Sequence, residues 1–547
     1  MLELKSVLFS YTADDAAFHA STNRSVQTED VSLNVQTDGD IFSASLSAKR
    51  EIRIDHLRAV FACPFDPSDR VFLNGYQSWT DSHEHFIADK MRGIDHIPVL
   101  VARKYAFSQY GDYNFVKYGT DPGHMHGWSY GYIRNGKEFR FIGSLAEDSG
   151  FTLIRVDTSK QELIIEKDCR GLYLNGDCEG IRVLLTEGEE NTVFDKYFEL
   201  LGVKLRPEAK PIFGYTSWYR HYQTVSMPVI EEDLAGLQSQ KYKADVFQID
   251  DGYQTAVGDW LLTDPDKFPD GMKAAADHIR EAGMLPGLWL APFVCEEKSV
   301  LCQEHPDWIV QDENGYDVKG GSNWSGFYAL DIYNEEVRDY LRKVFRTVTQ
   351  EWGYKLLKLD FLYAACIVPR RDKTRGQIMA DGMRFLREIA GDAFILGCGV
   401  PLASAFGRVD YCRIGCDVSL DWDDLPHMRL THRERVSTRS TVLDSVFRRQ
   451  LNGRAFLSDP DVFLLRDDQN KLTSDQKLCL AEVNALCGSV LFTSDNAAGY
   501  NEVQSKVLDR IMRLRDDGEL LGAEISNGLL KLTVRFRGKL IVRIYSL

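Results

Sequence analysis

Two aspartates stand out because each one ends a short apolar run that is typical of a buried β-strand. Asp360 closes the segment KLD, which begins with Lys358, and Asp417 closes the segment RIGCD, which begins with Arg413. Side chains two positions apart on a strand lie on the same face, so each aspartate is expected to share its face with a cation. A carboxylate beside an ammonium group stays ionised. We therefore predict that Asp360 is a nucleophile rather than a proton donor.

Two carboxylates on opposite sides of a sugar-sized gap are the groups that glycoside hydrolysis requires. A short separation gives retention of stereochemistry and a longer one gives inversion, but spacing in the sequence does not give this distance. The alternatives are an ordinary ion pair at Lys358 and Asp360, and a solvated acidic loop after the second aspartate. Three further acids compete with Asp417 for the role of proton donor: Asp421, Asp423 and Asp424.

A second pair of acids, Asp250 and Asp251, ends another apolar run, ADVFQIDDGY. Carboxylates accept hydrogen bonds from sugar hydroxyls, although acids before a glycine are also typical of a turn or a helix N-cap. Both side chains can face one side only where the pleat of the strand breaks. Aromatic rings suited to stacking on a sugar are frequent near these strand ends: Trp79, Trp218, Tyr219, Trp260, Trp289 and Trp324.

These residues can form one site only in a fold that brings the ends of several strands together. The sequence from about residue 211 predicts such a fold. From about residue 211, apolar runs alternate with stretches of helical period, which indicates repeated βα units. Nearly every run ends in polar or aromatic residues, and in a (β/α)8 barrel the active site lies at the carboxyl ends of the strands. The interval between the fifth and sixth runs is too short for a full helix. The eight predicted strands are 212–219, 244–253, 285–293, 354–363, 393–399, 411–417, 454–460 and 488–496.

The remainder of the chain predicts two smaller β-rich parts, and so a multidomain protein. Residues 1–200 consist of short runs of alternating apolar and polar residues, which favour a β-sandwich. We place the catalytic (β/α)8 TIM barrel at 205–496. Residues 497–547 predict one helix followed by a short antiparallel β-unit.

Composition excludes several classes of function. A net charge of −16 argues against a nucleic-acid partner, because phosphate binding needs a basic face. The sequence has no apolar stretch near the ~20 residues of a membrane span, and its first residues lack the pattern of a signal peptide. Its eleven cysteines are scattered and show no zinc-type pairing. We therefore expect reduced thiols in a cytoplasmic protein.

Motifs for cofactors and for other nucleophiles are absent from the sequence. There is no glycine-rich phosphate loop and no serine nucleophile elbow. Two pairs of histidines have metal-binding spacing, at 83 and 85 and at 124 and 126, but both lie in the β-rich first part, away from the barrel. We expect neither a catalytic metal nor a cofactor.

Several strings, taken in order, resemble the α-galactosidases of glycoside hydrolase family 36, the melibiase group, and in particular its compact prokaryotic members. The resemblance extends from about residue 70 to 500 and is specific because many independent strings occur in the same order. Tyr253 and Cys416 depart from the family pattern, which often has Trp and Pro at these positions. The strings are NGYQSW (74–79), GYTSWY (214–219), QIDDGYQ (248–254), GLWLAPF (287–293), LKLDFLYA (357–364), ILGCGVPL (395–402), RIGCD (413–417), FLSDPDV (456–462) and LFTSDN (491–496).

The resemblance implies a retaining α-galactosidase that acts on α-galactoside oligosaccharides by double displacement, with Asp360 as nucleophile and Asp417 as acid/base. It implies that Trp79, on a loop of the N-terminal domain, reaches over the barrel mouth. The other residues that it implies in substrate binding are Asp250 and Asp251, on the O4 and O6 side of galactose, with Trp289, Lys358, Cys398 and Arg413.

Four alternatives stay open at this stage. The same site could serve a galactosyl transferase, or a glycosidase of N-acetylgalactosamine or of an arabinopyranose-like sugar. A carbohydrate-binding protein with an inactive barrel is a different class, against which the intact Asp360 and Asp417 argue. A Schiff-base enzyme that uses Lys358 is the fourth. The sequence leaves the oligomeric state open, a homo-oligomer included.

Overall fold

The computed structural model describes residues 2–370, 372–423 and 428–547. Its first part is an antiparallel β-sandwich, which confirms the prediction for this region. Two long strands, β5 and β13, pair with each other and join the smaller hairpins into one curled sheet. The strands are β1 (Glu3–Ala13), β2 (Ala16–Thr22), β3 (Val26–Gln27), β4 (Val31–Asp38), β5 (Ile41–Ala62), β6 (Arg70–Leu73), β7 (His85–Phe86), β8 (His124–Trp128), β9 (Tyr130–Asn135), β10 (Glu138–Ser144), β11 (Thr152–Asp157), β12 (Glu162–Lys167) and β13 (Tyr173–Glu189).

The alternation of apolar and polar residues along the strands produces this sandwich. In β5, Phe42, Ala44 and Leu46 are buried while the residues between them are partly exposed. The side-chain period of a strand is two, so such a run turns one apolar face inward. Helix α1 (Val99–Lys104) lies in a long connection after β7, and α2 (Glu190–Leu201) leads out of the sandwich.

The central part is a parallel barrel, as predicted, and each of the eight predicted runs contains an observed strand. Its strands are short and almost entirely buried, because helices cover the outside and side chains fill the interior. The barrel strands are β14 (Ile212–Thr216), β15 (Val246–Ile249), β16 (Leu285–Leu290), β20 (Leu356–Leu359), β21 (Phe394–Gly397), β22 (Tyr411–Arg413), β23 (Leu457–Asp459) with β24 (Val462–Phe463), and β25 (Val490–Thr493).

The barrel closes through a break in its seventh strand. β23 pairs with β22 on one side, and β24 pairs with β25 on the other. Between them lie Pro460, which has no N–H to donate to a ladder, and Asp461, whose φ of 72° is left-handed. The break turns the side chain of Asp461 towards the strand ends, where Arg413 and the Val418 N–H donate hydrogen bonds to it.

Helices surround the barrel except after its fifth strand. As the short interval predicted, only a 3-10 turn, Leu402–Ala405, connects β21 to β22. Elsewhere the connections carry α-helices, and capping boxes begin α8, α10 and α11. The helices are α3 (Trp218–His221), α4 (Met227–Gln238), α5 (Gly271–Glu281), α6 (Val300–Glu304), α7 (Glu335–Arg346), α8 (Arg375–Ala390), α9 (Thr438–Phe447), α10 (Ser474–Cys487) and α11 (Glu502–Asp517).

Two small antiparallel sheets complete the fold. One interrupts the connection after β16 and consists of β17 (Val294–Glu296), β18 (Lys319–Gly321) and β19 (Phe327–Ala329). The sequence patterns did not predict this sheet. The other is the expected C-terminal unit of β26 (Gly518–Ser526), β27 (Leu529–Phe536) and β28 (Lys539–Ser546), whose buried side packs against α10 and α11.

One buried arginine holds the sandwich against the barrel. Arg448, at the end of α9, is fully buried and donates to the Asn74 side chain at 2.9 Å, to the Ser78 carbonyl at 2.8 Å and to the Ile414 carbonyl at 2.9 Å. The Ser78 N–H donates in turn to the Val400 carbonyl at 2.9 Å. The loop that carries Trp79 is thus bonded to the ends of the barrel strands.

None of the helices that the structure describes combines the length and apolar character that a bilayer crossing requires.

Candidate active site

A cavity of about 400 Å³ lies at the carboxyl ends of the barrel strands. The N-terminal sandwich and the insertion after β16 both contribute to its walls. Two other predicted site residues, Cys398 and Arg413, are buried behind the lining. The predicted site residues that line the cavity are Trp79, Asp250, Asp251, Trp289, Lys358, Asp360 and Asp417.

Asp360 follows β20 directly and is only 7% exposed. Its Oδ2 accepts a hydrogen bond from Trp289 Nε1 at 3.0 Å, and its Oδ1 accepts one from the Phe361 N–H at 2.9 Å. Burial raises the pKa of the Asp360 carboxyl, while the positive charge of Lys358 and the Trp289 hydrogen bond lower it in part. Desolvation by burial is thus a larger effect on the pKa of Asp360 than the charge of Lys358, on which the sequence-based expectation of an ionised carboxylate rested.

Lys358 makes its direct ion pair with another residue. Its Nζ donates to Asp250 Oδ2 at 2.8 Å, and the two side chains are only 9% and 4% exposed. Asp250 also accepts from Gln248 Nε2 at 2.9 Å, and Ser217 Oγ accepts from its backbone N–H at 2.9 Å. The ammonium group therefore lies between two carboxylates, Asp250 and Asp360, and its charge acts on both.

Asp251 lies beside Asp250 at the point where β15 ends, so the pleat breaks there and both side chains reach the cavity. It accepts from Trp324 Nε1 at 2.8 Å, from Gln254 Nε2 at 2.6 Å and from Gln223 Nε2 at 3.0 Å. Burial is the largest effect on its pKa, which is raised. Three fixed donors leave the carboxylate in one orientation at the edge of the cavity.

Asp417 lies four residues after Arg413, the last residue of β22, so it follows this strand at a distance rather than closing it. Its side chain is 37% exposed and borders the cavity. Arg413 Nη2 donates to its Oδ1 at 2.9 Å and to Asp461 Oδ2 at 3.1 Å. Burial raises the pKa of Asp461, and the Arg413 charge opposes this. Arg413 is only 1% exposed, so the surrounding residues hold its guanidinium in place. The hydrogen bond from this guanidinium in turn fixes the position of the Asp417 carboxylate.

The competing acids have other partners. Asp421 pairs with Lys471 at 3.3 Å, and Asp423 accepts from Ser437 Oγ at 2.9 Å and from Arg435 Nη2 at 3.0 Å. Neither lines the cavity. Asp424 lies outside the described residues. Of the candidates in the described part of the chain, Asp417 is thus the one that lines the same cavity as Asp360.

Trp79 reaches the cavity from the N-terminal sandwich. Its Nε1 donates to Cys398 Sγ at 3.2 Å, and its ring meets Phe361 edge-on at a centroid distance of 5.0 Å. Cys398, directly after β21, is completely buried. A hydrogen bond from its thiol lowers the pKa of Asp360 in part. Trp79, which belongs to the N-terminal sandwich, thereby contacts residues of the barrel at the base of the cavity.

Sequence patterns had singled out some lining residues without assigning them to the site, and had missed others. Trp218 and Trp324 were noted only as aromatic residues near strand ends, and Trp324 belongs to the unpredicted insertion. The loop before α9 contributes Glu434 and Arg435, for which no motif existed. Pro460, the last residue of the predicted strand 454–460, was a signal for the break that turns Asp461 inward.

The geometry suits the cleavage of a sugar linkage. A buried carboxylate with both oxygens hydrogen-bonded and a more exposed carboxylate border the same cavity of about 400 Å³. In the residues that the structure describes, no cluster of three His, Cys, Asp or Glu side chains could hold a metal. Of the two histidine pairs, His126 is hydrogen-bonded to Asp112 at 3.0 Å and His83 to Asp81 at 2.7 Å.

Known proteins share parts of this sequence. The family profile described as Melibiase matches residues 203–378. Over 125 residues the chain is 34% identical to the A type blood alpha-D-galactosamine galactosaminidase of Flavonifractor plautii, and over 121 residues it is 33% identical to an alpha-galactosidase of Escherichia coli. Each alignment covers 21% of this chain, but only 11% and 16% of the respective relative's own length.

A likeness in structure extends over almost the entire chain. TtGalA, an alpha-galactosidase from Thermus thermophilus solved with p-nitrophenyl alpha-D-galactopyranoside, superposes with a TM-score of 0.73 and 25% identity, covering 96% of this chain and 99% of that one. A structure of the same enzyme with stachyose has a TM-score of 0.71 and 28% identity, covering 90% and 99% of the two chains.

Proposed function

We propose that this chain, which belongs to the melibiase family, hydrolyses terminal α-linked galactose from oligosaccharides with retention of stereochemistry. Its membership confirms the resemblance carried by the ordered sequence strings. The residues that line the cavity and the alpha-galactosidases among the similar proteins support this activity. The observation that carries it is the placement of Asp360 and Asp417 on one cavity, with Asp250 and Lys358 paired at its floor.

In the proposed first step, ionised Asp360 attacks the anomeric carbon while Asp417 donates a proton to the departing oxygen. The Trp289 and Phe361 N–H groups hold one oxygen each of Asp360, which orients the carboxylate before attack. Such preorganisation lowers the cost of reaching the transition state. In the second step, Asp417 takes a proton from water, which then hydrolyses the glycosyl–enzyme ester.

Recognition of the galactose ring is assigned to the acids and aromatics at the floor. Asp250 and Asp251 would accept hydrogen bonds from the O4 and O6 side, and Lys358 would donate. Their existing partners, which include Gln248 for Asp250 and Trp324 for Asp251, keep these groups in place. A site built to hydrogen-bond a hydroxyl rejects a sugar that lacks it there.

A second glycone remains a candidate because one relative is named a galactosaminidase. A panel of nitrophenyl α-glycosides of galactose, galactosamine and N-acetylgalactosamine separates the two. Turnover of an amino sugar at ten times the rate for galactose would replace the first proposal.

The decisive experiment combines stereochemistry with a variant. NMR of the products from p-nitrophenyl α-galactoside is expected to show α-galactose first. The Asp360→Asn variant is expected to lose turnover while its unfolding transition stays cooperative. Asp381→Asn, an exchange of the same kind on the outer helix α8, is the matched control and should remain active. Initial formation of β-galactose, or near wild-type activity of Asp360→Asn, would refute the mechanism.

A further inference from the structure

The loop before α9 lines the cavity with polar groups that the mechanism does not use. We propose that this loop, residues 431–436, binds the leaving group, and that Glu434 and Arg435 select a hydroxyl-bearing sugar there. The inference rests on the proposed function, because it names the part of the substrate that departs. Thr431, Glu434, Arg435 and Val436 all border the cavity.

Two buried polar atoms of the loop lack partners among the described residues. Glu434 Oε1 accepts from Thr80 Oγ1 at 2.8 Å, but Glu434 Oε2 has no hydrogen-bond partner. Arg435 Nη2 donates to Asp423 at 3.0 Å, but Arg435 Nε has no acceptor. An unsatisfied buried polar group is costly, and each one calls for an explanation. A ligand with hydroxyl groups supplies both partners at once.

Barrel topology places this loop on the leaving-group side of the reaction centre. In the ring of eight strands, β22, which precedes the loop, and β15, which carries Asp250 and Asp251, lie on opposite sides. β20, which carries Asp360, lies midway between them. Asp417 and Glu434 belong to the same connection after β22. Since the proton donor acts on the departing oxygen, the leaving group points towards this connection.

The surroundings of Glu434 decide which hydrogen bond it makes. Burial raises the pKa of Glu434 to about 8, and the Asp112 charge adds to this, whereas the charges of Arg433 and Arg448 oppose it. Tyr113 and Tyr363, whose own pKa values lie well above the ordinary one, also face it and stay neutral. At neutral pH the carboxyl group thus keeps its proton and donates an O–H. A sugar hydroxyl accepts that bond, and a nitrophenyl ring has no hydroxyl to do so.

Two substrates test the assignment: melibiose, whose leaving group is glucose, and p-nitrophenyl α-galactoside. Glu434→Ala should lower kcat/KM for melibiose about tenfold or more, because one directed hydrogen bond is lost. The same variant should change kcat/KM for the nitrophenyl substrate less than about threefold. Glu434→Gln keeps a donor of similar shape and should recover most of the melibiose activity. Glu502→Gln, at an 83% exposed side chain on α11, is the control for removal of a glutamate.

The outcomes separate this inference from the function on which it rests. Equal losses on both substrates, no loss on melibiose, or a Glu434→Gln variant as poor as Glu434→Ala would each overturn the leaving-group assignment. Failure of the wild-type chain to release galactose from either substrate would overturn the proposed function itself. If Glu434→Ala does not fold, the comparison of Glu434→Gln with wild type above and below pH 8 takes its place. The wild-type preference for melibiose should fall as Glu434 ionises, and that of Glu434→Gln should not.

Discussion

The hydrogen bond from Trp289 to Asp360 offers a quantitative test of how the buried carboxylate is kept reactive. Burial raises the pKa of Asp360, and the Trp289 N–H lowers it by bonding to the ionised form. Trp289→Phe removes this donor, which lies at 3.0 Å, but keeps a ring in contact with Trp260 and Trp324. The variant therefore changes the ionisation of Asp360 more than the shape of the cavity.

The size of the effect follows from the difference between charged and neutral acceptors. A hydrogen bond to an ionised group contributes about 1.5–3 kcal/mol and one to a neutral group about 0.5–1.5 kcal/mol, so the ionised form loses about 1–1.5 kcal/mol more. Since about 1.4 kcal/mol corresponds to one pKa unit, the pKa of Asp360 should rise by about one unit. The attacking form is the ionised one, so activity is lost as the pH falls through this pKa. The acidic limb of the profile should move about one unit upward.

The assay is the pH profile of kcat/KM on p-nitrophenyl α-galactoside, measured for wild type and Trp289→Phe. Trp308→Phe is a matched control, because Trp308 is also buried and its Nε1 donates to Glu336 at 3.1 Å, outside the cavity. The control should share any loss of stability and leave the acidic limb in place. A uniform fall in kcat/KM with an unmoved acidic limb would refute this account of Asp360.

Two further variants test the supports of the site. Lys358→Met should reduce the free energy of unfolding by about 3–5 kcal/mol, because Asp250 is left buried without its counter-ion; denaturant titration measures this, and addition of Asp250→Leu should restore part of the loss. Arg448→Ala should cost at least about 3 kcal/mol, since several buried acceptors, Asn74 among them, lose their donor. It should also lower kcat/KM, because the loop with Trp79 is released, and unchanged kinetics would contradict that link.

The spacing of apolar residues within each run and the boundaries between runs were enough to predict the architecture. Alternating runs before residue 200 became the sandwich, and eight apolar runs became the barrel strands, because side-chain period and burial are local consequences of sequence. Even the missing helix after β21 was visible in the length of the interval. The small sheet around β19 was not predicted, since its strands of three residues are too short to show a period.

For the site, the sequence by itself determined which residues follow the barrel strands, and so predicted that Asp250, Asp360 and Asp417 would lie at one mouth. The roles of these residues stay predictions until the variants are measured. Tertiary structure alone decided the pairing of charges: Lys358 bonds to Asp250 rather than acting only on its strand neighbour Asp360. It also decided that Glu434, far along the chain and without a motif, borders the same cavity. The physical reason is that strand order fixes positions within a barrel, whereas burial and charge pairing depend on contacts between distant segments.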